Sequence, residues 1–432
     1  MKAEETLRSI GLEIPEIHLP ANRVDLEKWA VIACDQFTSE PSYWREVERI
    51  VNGEPSTYHM ILPESELESP DKDAKIDEIR KTMEHYRRED ILVSLGTGGM
   101  LVKRSTPFSP DRWGLVAALD LEHYDFKPGS VSLIRATEKT ILERIPPRRA
   151  IREGAVFELP HIMVLIDDPG HTVIRPLADS YGDLEKKYSF PLMLGGGHVS
   201  GFFLPPGKAW EGIGASLAAL ADSADFESKY GVTDPLLFAM GDGNHSLATA
   251  KTVWEDMKKS LPGGVFEKHP ARWALVEIVN IYDPGLVFHP IHRILSHIRP
   301  EPLIDAFESA GWKIADSSSP NSHSAVALIG GTRYGLDLAD PRHDFPVESI
   351  DAVLHEYLES ETAAHIDYVH DEETVREAGS KADGAGFFLP DFPKEALFPA
   401  VVSKGALPRK SFSIGHSREK RYYLEARKIT RE

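Results

Sequence analysis

The residues best suited to chemistry lie in one short segment of the chain. An apolar run at 235–240 leads into the polar stretch Gly241 to Ser246, after which apolar residues recur at helical spacing up to Met257. This order predicts a buried strand, a tight glycine turn and an amphipathic helix. The first N–H groups of a helix have no partner inside it and carry the positive end of its dipole. The segment is therefore a candidate binding site for anionic oxygen.

Side chains in the same turn add polar groups to this candidate site. Asn244, His245 and Ser246 supply hydrogen-bond donors, and Gly243 lets a ligand approach the backbone closely. Asp242 is a candidate ligand for a metal ion or a substrate amine. The stretch matches neither the Walker A pattern nor the glycine pattern of dinucleotide-binding proteins. An ordinary turn whose Asn or Asp merely caps the helix is equally compatible with these residues.

Composition limits the partners and the compartment. The net charge is −19 over 432 residues, which disfavours a binder of duplex nucleic acid because phosphate contacts need clustered lysine and arginine. Cys34 is the only cysteine, which fits a reducing compartment. Residues 1–15 do not resemble a signal peptide, and no apolar run approaches the length of about 18 residues that indicates a membrane span. We therefore predict a cytoplasmic protein without a membrane partner.

The elements that must position the candidate site are mixed along the chain. They favour an α+β fold, with mixed sheets and flanking helices, over a doubly wound parallel sheet. Strands are predicted at 29–33, 235–240 and 273–281, and helices at 41–51, 71–88 and 210–220. Hairpins are predicted to join 100–104 with 114–121 and 161–166 with 172–176.

Residues 241–250 resemble the D-G-H-H-R-x-x-A signature of the ParB/sulfiredoxin-like superfamily, and in particular the domain-of-unknown-function family DUF1015. Further blocks of that family are matched in the same order over nearly the whole chain. These blocks are Asp35 to Trp44, Pro55 to Glu64, Leu286 to Arg293, Asp367 to His370 and Leu407 to Ser411. The resemblance implies a ParB/sulfiredoxin-like core in a phosphate-binding region at 1–262. A C-terminal α+β region at 263–432 is then expected to complete the site.

Superfamily members with this strand–turn–helix element include free-serine kinases, which use ADP, ATP or pyrophosphate. The resemblance therefore implies phosphoryl transfer to the hydroxyl of free L-serine, giving O-phosphoserine. Pyrophosphate is the preferred donor because no adenine-binding motif is visible. Mg²⁺ is expected as cofactor, held largely by the oxygens of the donor and in part by Asp242.

The chain departs from the signature at two positions. Asn244 stands where the family has its first His, and Ser246 stands where it has Arg. The loss of that Arg removes a phosphate donor, so another cation is required. Arg135 is the predicted replacement, and a basic stretch containing Arg144, Arg148 and Arg149 follows it.

Within the implied kinase, residues 243–246 hold the phosphates, and His245 donates a hydrogen bond or acts as acid. Either Glu40 or Asp35 accepts the proton of the serine hydroxyl. Both carboxylates have plainer interpretations, since Glu40 precedes a helix-starting Pro41 and Asp35 suits a turn.

Three further residues are candidates for substrate binding. His292 and Arg293 are suited to the substrate carboxylate, or alternatively to a buried pair beneath a loop. His198 follows three glycines, in a loop that lines the pocket or is an ordinary connection. Lys404, Arg409 and Lys410 either close over the phosphates or form a solvated basic tail.

Two other functions compatible with the sequence stay open. One is an ADP- or ATP-dependent kinase of another small hydroxyl compound. The other is a regulatory protein that senses a ligand without turnover, which the change to Ser246 favours. A hydrolase, with water in place of serine, is a weaker alternative, and the oligomeric state is not indicated.

Overall fold

The fold was examined in a computed structural model that describes residues 2–127, 129–140, 145–262, 264–316, 323–408 and 410–431. Helices and strands both contribute extensively. The α-helices, in chain order, are α1 Lys2–Ser9, α2 Leu26–Trp29, α3 Pro41–Val51, α4 Lys72–Arg88, α5 Ile145–Arg152, α6 Arg175–Asp179, α7 Lys208–Leu220, α8 Ser223–Tyr230, α9 Asn244–Ser260, α10 Pro300–Ser309, α11 Pro346–Ser360, α12 Glu372–Gly379 and α13 Leu397–Lys404.

The strands range from two to nine residues in length. They are β1 Leu12–Glu13, β2 Glu16–Pro20, β3 Leu92–Thr97, β4 Gly99–Ser105, β5 Arg112–Asp120, β6 Tyr124–Asp125, β7 Ile134–Arg135, β8 Phe157–Glu158, β9 Met163–Ile166, β10 Glu185–Pro191, β11 His198–Leu204, β12 Phe238–Asp242, β13 Trp273–Asn280, β14 Phe288–Pro290, β15 His292–Ser296, β16 Lys313–Ala315, β17 Ser324–Ile329, β18 Thr332–Asp337, β19 His365–Val369, β20 Gly384–Phe388, β21 Phe412–Ile414 and β22 Arg427–Lys428.

The chain divides into two compact units. Unit 1 contains the residues up to Val287, the segment Glu395–Leu407 and the residues from Ile414 onward. Unit 2 contains Phe288–Lys394 and Pro408–Ser413. The division therefore falls after 287 and not at the predicted boundary of 262/263. The reason is that β13 pairs with β5 and β9 in the middle of the sheet of unit 1.

Unit 1 is built on a ten-stranded sheet in the order β10-β11-β4-β5-β13-β9-β12-β7-β6, with β1 added beside β5. The sheet is mixed, since β13 is parallel to β9 whereas β12 is antiparallel to β9. Its two faces are both covered, because Met100 and Val102 of β4 enter one apolar core and Leu101 between them enters the other. This architecture confirms the predicted α+β fold.

Unit 2 has a six-stranded sheet in the order β16-β18-β17-β20-β15-β19. All of its strand pairs are antiparallel. Helices α10, α11 and α12 belong to this unit. In the described ranges, each helix of either unit is too short or too polar to cross a bilayer.

Two of the predicted strands are wrong. The run at 29–33 contributes only an isolated bridge at Ile32, because Asp25 caps the short helix α2 and this helix extends to Trp29. The predicted hairpin from 161–166 to 172–176 does not form either. The carboxylate of Asp168 accepts hydrogen bonds from Val173 and Thr172, and the chain then enters α6. Strand β9 pairs instead with β12 and β13.

Candidate functional site

The predicted strand–turn–helix is present in unit 1. Strand β12 ends at Asp242, and α9 begins at Asn244. Gly243 between them has φ 81° and ψ 26°, and it caps the helix without any side-chain cap hydrogen bond. A Cβ at this position would lie 3.1 Å from the Cα of Ile162, so both the left-handed backbone and the tight packing require glycine.

The first turn of α9 has the features of an anion site. The first hydrogen bond within the helix runs from the N–H of Leu247 to the carbonyl of Gly243, at 3.0 Å. The N–H groups of residues 244–246 precede this bond and lie at the positive end of a 17-residue helix. All three residues are half-buried. The turn is therefore not sealed beneath other side chains.

A cleft of about 140 Å³ opens beside this turn. Helix α9 contributes Ser246 and Thr249 to its wall. Its lining combines the polar residues Cys34, His161 and Tyr423 and the charged residues Glu64, Arg148, Arg152 and Glu158 with a larger apolar part, called the apolar body below. The apolar body is lined by Met60, Ile61, Leu62, Leu67, Met83, Ile151, Ala155, Phe157, Leu159, Pro160 and Ile162. An apolar pocket with a few convergent polar groups is the usual form of a small-molecule site.

A chain of hydrogen bonds connects the polar residues of this lining. The Oγ of Ser246 lies 3.1 Å from Nε2 of His161, whose Nδ1 lies 2.8 Å from the hydroxyl of Tyr423. That hydroxyl donates to the sulfur of Cys34 at 3.1 Å. Burial raises the pKa of the Cys34 thiol to about 12, so the sulfur stays protonated at neutral pH.

Two cationic side chains lie close to this chain of hydrogen bonds. The ammonium of Lys420 is 3.2 Å from Oδ2 of Asp242, at the end of β12. Arg148 lines the cleft and forms an ion pair of 2.9 Å with Glu64. Each of these cations is already paired with a carboxylate, so a bound phosphate would share it with that partner.

Asp35 directly follows Cys34 and interacts electrostatically with His161, Lys420 and Arg148. These residues, together with Cys34, Tyr423 and Ser246, are called the cluster below. Burial raises the pKa of the Asp35 carboxyl, but His161, a hydrogen bond from Gln36, Lys420 and Arg148 outweigh that effect. The pKa of Asp35 therefore lies below its ordinary value. The side chain is an anion at neutral pH, suited to accept a hydrogen bond from a ligand hydroxyl.

The other predicted residues of the turn have distinct surroundings. The Oδ1 atom of Asn244 is buried and has no hydrogen-bond partner among the described residues. His245 is half-buried on the first turn of α9 but does not line the cleft, whereas Ser246 does. The carboxylate of Asp242 already accepts the N–H of Gly243 at 2.9 Å and pairs with Lys420.

Arg135, the predicted replacement cation, directs its guanidinium to backbone carbonyls. Its Nε donates to the carbonyl of Ser132 and its Nη2 to the carbonyl of Asp234, both at 2.8 Å. The residue is 5% exposed and fixes the segment before β12. Lys420 takes the position beside the turn that was predicted for Arg135.

Two more predicted residues of unit 1 lie away from the cleft. Glu40 is exposed at the N-cap of α3 and makes no cap hydrogen bond. His198 is half-buried at the start of β11, with its Nε2 3.5 Å from the Oγ of Ser189. Neither residue lines the cleft.

Arg293 forms a buried ion pair, which is the alternative interpretation of this residue. Its Nε and Nη2 bind the two carboxylate oxygens of Asp351 at 2.8 and 2.7 Å, and the side chain of Arg293 is fully buried. Nδ1 of His292 accepts the N–H of Leu389 at 3.1 Å, and burial lowers the pKa of His292. Both residues belong to unit 2.

We expect Asp351→Asn to lower the free energy of unfolding by about 3–5 kcal/mol, because it leaves the buried guanidinium of Arg293 without a counter-charge. A urea titration followed by the fluorescence of Trp312 in unit 2 measures the loss. The matched control is Asp305→Asn, an exposed carboxylate on α10 that is expected to change little. Unchanged stability together with weaker substrate binding would instead favour a role in recognising the substrate.

The described part of the chain offers no preformed site for a protein-held Mg²⁺. Both carboxylate oxygens of Asp242, the predicted ligand, already have partners. Among the described residues, no group of three or more His, Cys, Asp or Glu side chains is arranged to hold a metal ion. We therefore derive no step that depends on a metal bound by this chain.

Four residues of the cluster were missed in the sequence, namely Cys34, His161, Lys420 and Tyr423. His161 and Tyr423 meet in space although 262 positions separate them in the chain. Neither residue belongs to a recognisable spacing pattern, so the neighbouring sequence gives no indication of this contact. Two of the basic residues considered in the sequence analysis, Arg144 and Arg409, lie outside the residues that the structure describes.

Fold and site together define a mixed α+β protein with a cleft at the start of a helix. A model of the family described as protein of unknown function (DUF1015) matches residues 16–355, and the chain belongs to this family. Comparison with curated proteins gave no match. The wider ParB/sulfiredoxin-like relationship stays a prediction.

Several solved structures are distantly similar. A conserved hypothetical protein from Pyrococcus furiosus is 11% identical, with a TM-score of 0.34 over 72% of this chain and 90% of that one. A free serine kinase in complex with AMP is 10% identical, with a TM-score of 0.36 over 73% and 91%. SbnI with a C-terminal truncation, from Staphylococcus aureus, is 11% identical, with a TM-score of 0.37 over 68% and 83%. These scores are too low to bear on the function of this chain.

Proposed function

We propose that this protein is a small-molecule phosphotransferase that phosphorylates the hydroxyl of free L-serine at the cleft beside α9. The observation that carries the proposal is that the first turn of α9 has no side-chain cap and contributes Ser246 to a cleft that Arg148 and His161 also line, with Asp35 in electrostatic contact with both. Phosphoryl transfer needs positive charge around the moving group and a carboxylate that orients the attacking hydroxyl. Serine as acceptor rests on the resemblance of residues 241–250 to the signature shared with free-serine kinases.

Each side chain of the cluster has a proposed task. The N–H groups of residues 244–246 and the ammonium of Lys420 bind the transferred phosphoryl group. Asp35, ionised at neutral pH, accepts the hydrogen bond of the serine hydroxyl and orients it for attack. A magnesium ion, where present, reaches the site with the donor's phosphates instead of on a preformed carboxylate cluster.

The apolar body of the cleft bears on the choice of donor. Pyrophosphate has no apolar surface and would use only the polar and charged residues of the lining. A nucleoside diphosphate or triphosphate would also place its base against apolar walls such as Phe157 and Met83. We therefore favour a nucleotide donor over the pyrophosphate predicted from the sequence.

The test incubates the purified full chain with Mg²⁺, serine and, in separate reactions, ADP, ATP or pyrophosphate. We expect phosphoserine from at least one donor, and homoserine and threonine as parallel acceptors measure the selectivity. Saturable binding of a donor without any product would support the ligand-sensing alternative. Neither binding nor product with all three donors would refute the proposal.

A further inference from the structure

The pair formed by Ser246 and His161 has the geometry of an activated nucleophile. The Oγ–Nε2 distance is 3.1 Å, and both side chains line the same cleft. Ser246 is half-buried, whereas His161 is 6% exposed, so the serine is the more accessible member of the pair. A hydroxyl at hydrogen-bond distance from a held imidazole is the arrangement by which proteins activate serine.

The partner of the other ring nitrogen determines the tautomer of His161. The hydroxyl of Tyr423 lies 2.8 Å from Nδ1 of His161 and 3.1 Å from the sulfur of Cys34, and its single hydrogen can be directed to only one of them. When that hydrogen is directed to the sulfur, Nδ1 carries the ring hydrogen and donates it to the hydroxyl oxygen. The nucleophile proposed below requires this tautomer, in which Nε2 of the neutral ring presents its lone pair to the hydroxyl of Ser246.

Charged groups around the pair suit a phosphorus centre. Ser246 lies on the third residue of α9, where the helix N–H groups are oriented toward bound anionic oxygen. Asp35 interacts electrostatically with His161 and can stabilise the imidazolium that forms when the ring takes up a proton. Lys420 and Arg148 lie in the same cluster and provide positive charge for the phosphoryl oxygens.

We propose that Ser246 is a phosphoryl-accepting nucleophile with His161 as its base, so that transfer passes through a covalent phosphoserine at position 246. This inference rests on the proposed phosphotransferase function. It assigns a catalytic role to Ser246, which stands where the family signature has Arg.

Transfer then takes place in two steps. The oxygen of Ser246 attacks the terminal phosphorus of the donor while its proton passes to Nε2 of His161. The bond from phosphorus to the bridging oxygen breaks, and the leaving group retains the electron pair and takes the proton from the imidazolium. The acceptor hydroxyl then attacks the phosphoserine and gives its proton to Nε2. The oxygen of Ser246 leaves with the electron pair and regains the proton, which restores the enzyme.

The first experiment measures isotope exchange without any acceptor. Labelled AMP is mixed with ADP, labelled ADP with ATP, and labelled phosphate with pyrophosphate, each with the full chain. A covalent intermediate makes the first step reversible by itself, so we expect label to enter the donor that supports phosphoserine formation. Mass spectrometry of the quenched protein is expected to find one phosphoryl group on the peptide that contains Ser246.

Variants separate a nucleophile from a mere phosphate contact. Ser246→Ala and His161→Gln are each expected to abolish exchange and the phosphopeptide, although His161→Gln keeps groups able to hydrogen-bond with Ser246 and Tyr423. The matched control is Ser260→Ala, at the exposed far end of α9, with exchange unchanged. Circular dichroism melting checks that each variant is folded.

The outcomes distinguish this inference from the proposed function. Formation of phosphoserine from free serine without exchange and without a phosphopeptide would overturn the inference and leave the phosphotransferase intact. Exchange that persists in Ser246→Ala would also overturn it. Failure of all three donors to give product, exchange or phosphopeptide would overturn both.

Discussion

Asp35→Asn is expected to reduce the turnover of serine by about 10²–10⁴-fold, the usual contribution of a positioned acid–base group. The substitution keeps the shape of the side chain and its ability to accept one hydrogen bond. It removes the negative charge that His161, Lys420 and Arg148 stabilise in the folded protein. The measurement is kcat for serine at saturating donor, with the affinity for the donor determined separately.

Glu40→Gln provides the contrast, because Glu40 is the other carboxylate that the sequence places near this segment. It is exposed at the start of α3, whereas Asp35 interacts with His161, Lys420 and Arg148, so kcat of Glu40→Gln is expected to stay within about twofold of the wild-type value. The reverse result, with full activity in Asp35→Asn and loss in Glu40→Gln, would assign the orientation of the serine hydroxyl to Glu40. Equal activity of both variants would exclude either carboxylate from the chemistry.

Lys420→Met is expected to lower kcat/KM by about 10²–10³-fold, comparable with the loss of one preorganised donor to developing negative charge. Methionine fills a similar volume but cannot neutralise a phosphoryl oxygen. It also leaves Asp242 without its partner at 3.2 Å, which adds repulsion between this carboxylate and the donor. Donor titration by calorimetry and steady-state kinetics measure the two effects.

The control for this variant is Lys259→Met, which removes an exposed lysine from the last turn of α9. Both variants lower the net charge of the protein equally, so a loss confined to Lys420→Met reflects its position beside the turn. Equal losses of kcat/KM in the two variants would show that Lys420 acts only by long-range electrostatic attraction of the donor. That effect weakens as the salt concentration rises.

The sequence predicted the local geometry of the site because local signals determine it. Gly243 adopts the positive φ that glycine permits at low cost, and the apolar spacing after it produces α9 as expected. The hairpin from β4 to β5 also follows from apolar runs on either side of a turn. These features depend on neighbours within about ten residues, which are visible in a single sequence.

The remaining side chains of the cluster depend on the assembled fold. Tyr423 and Lys420 come from the C-terminal segment, and the N–H of Tyr423 binds the carbonyl of Val31 at 3.0 Å. No spacing rule relates such distant positions. The charge of Arg135 stands out in its stretch of the sequence and predicts a phosphate-binding cation. Charge alone, however, does not show where a guanidinium points.

Hydrogen exchange of the amides at residues 244–246 tests the central claim, which is that the first turn of α9 binds phosphate. These N–H groups precede the first bond within the helix, so their exchange in the free protein is the reference for the effect of a bound phosphate. A saturating donor should slow their exchange on the full chain, because each amide gains an anionic acceptor. If calorimetry shows the donor bound while exchange at 244–246 is unchanged, the phosphate lies elsewhere and the account is contradicted.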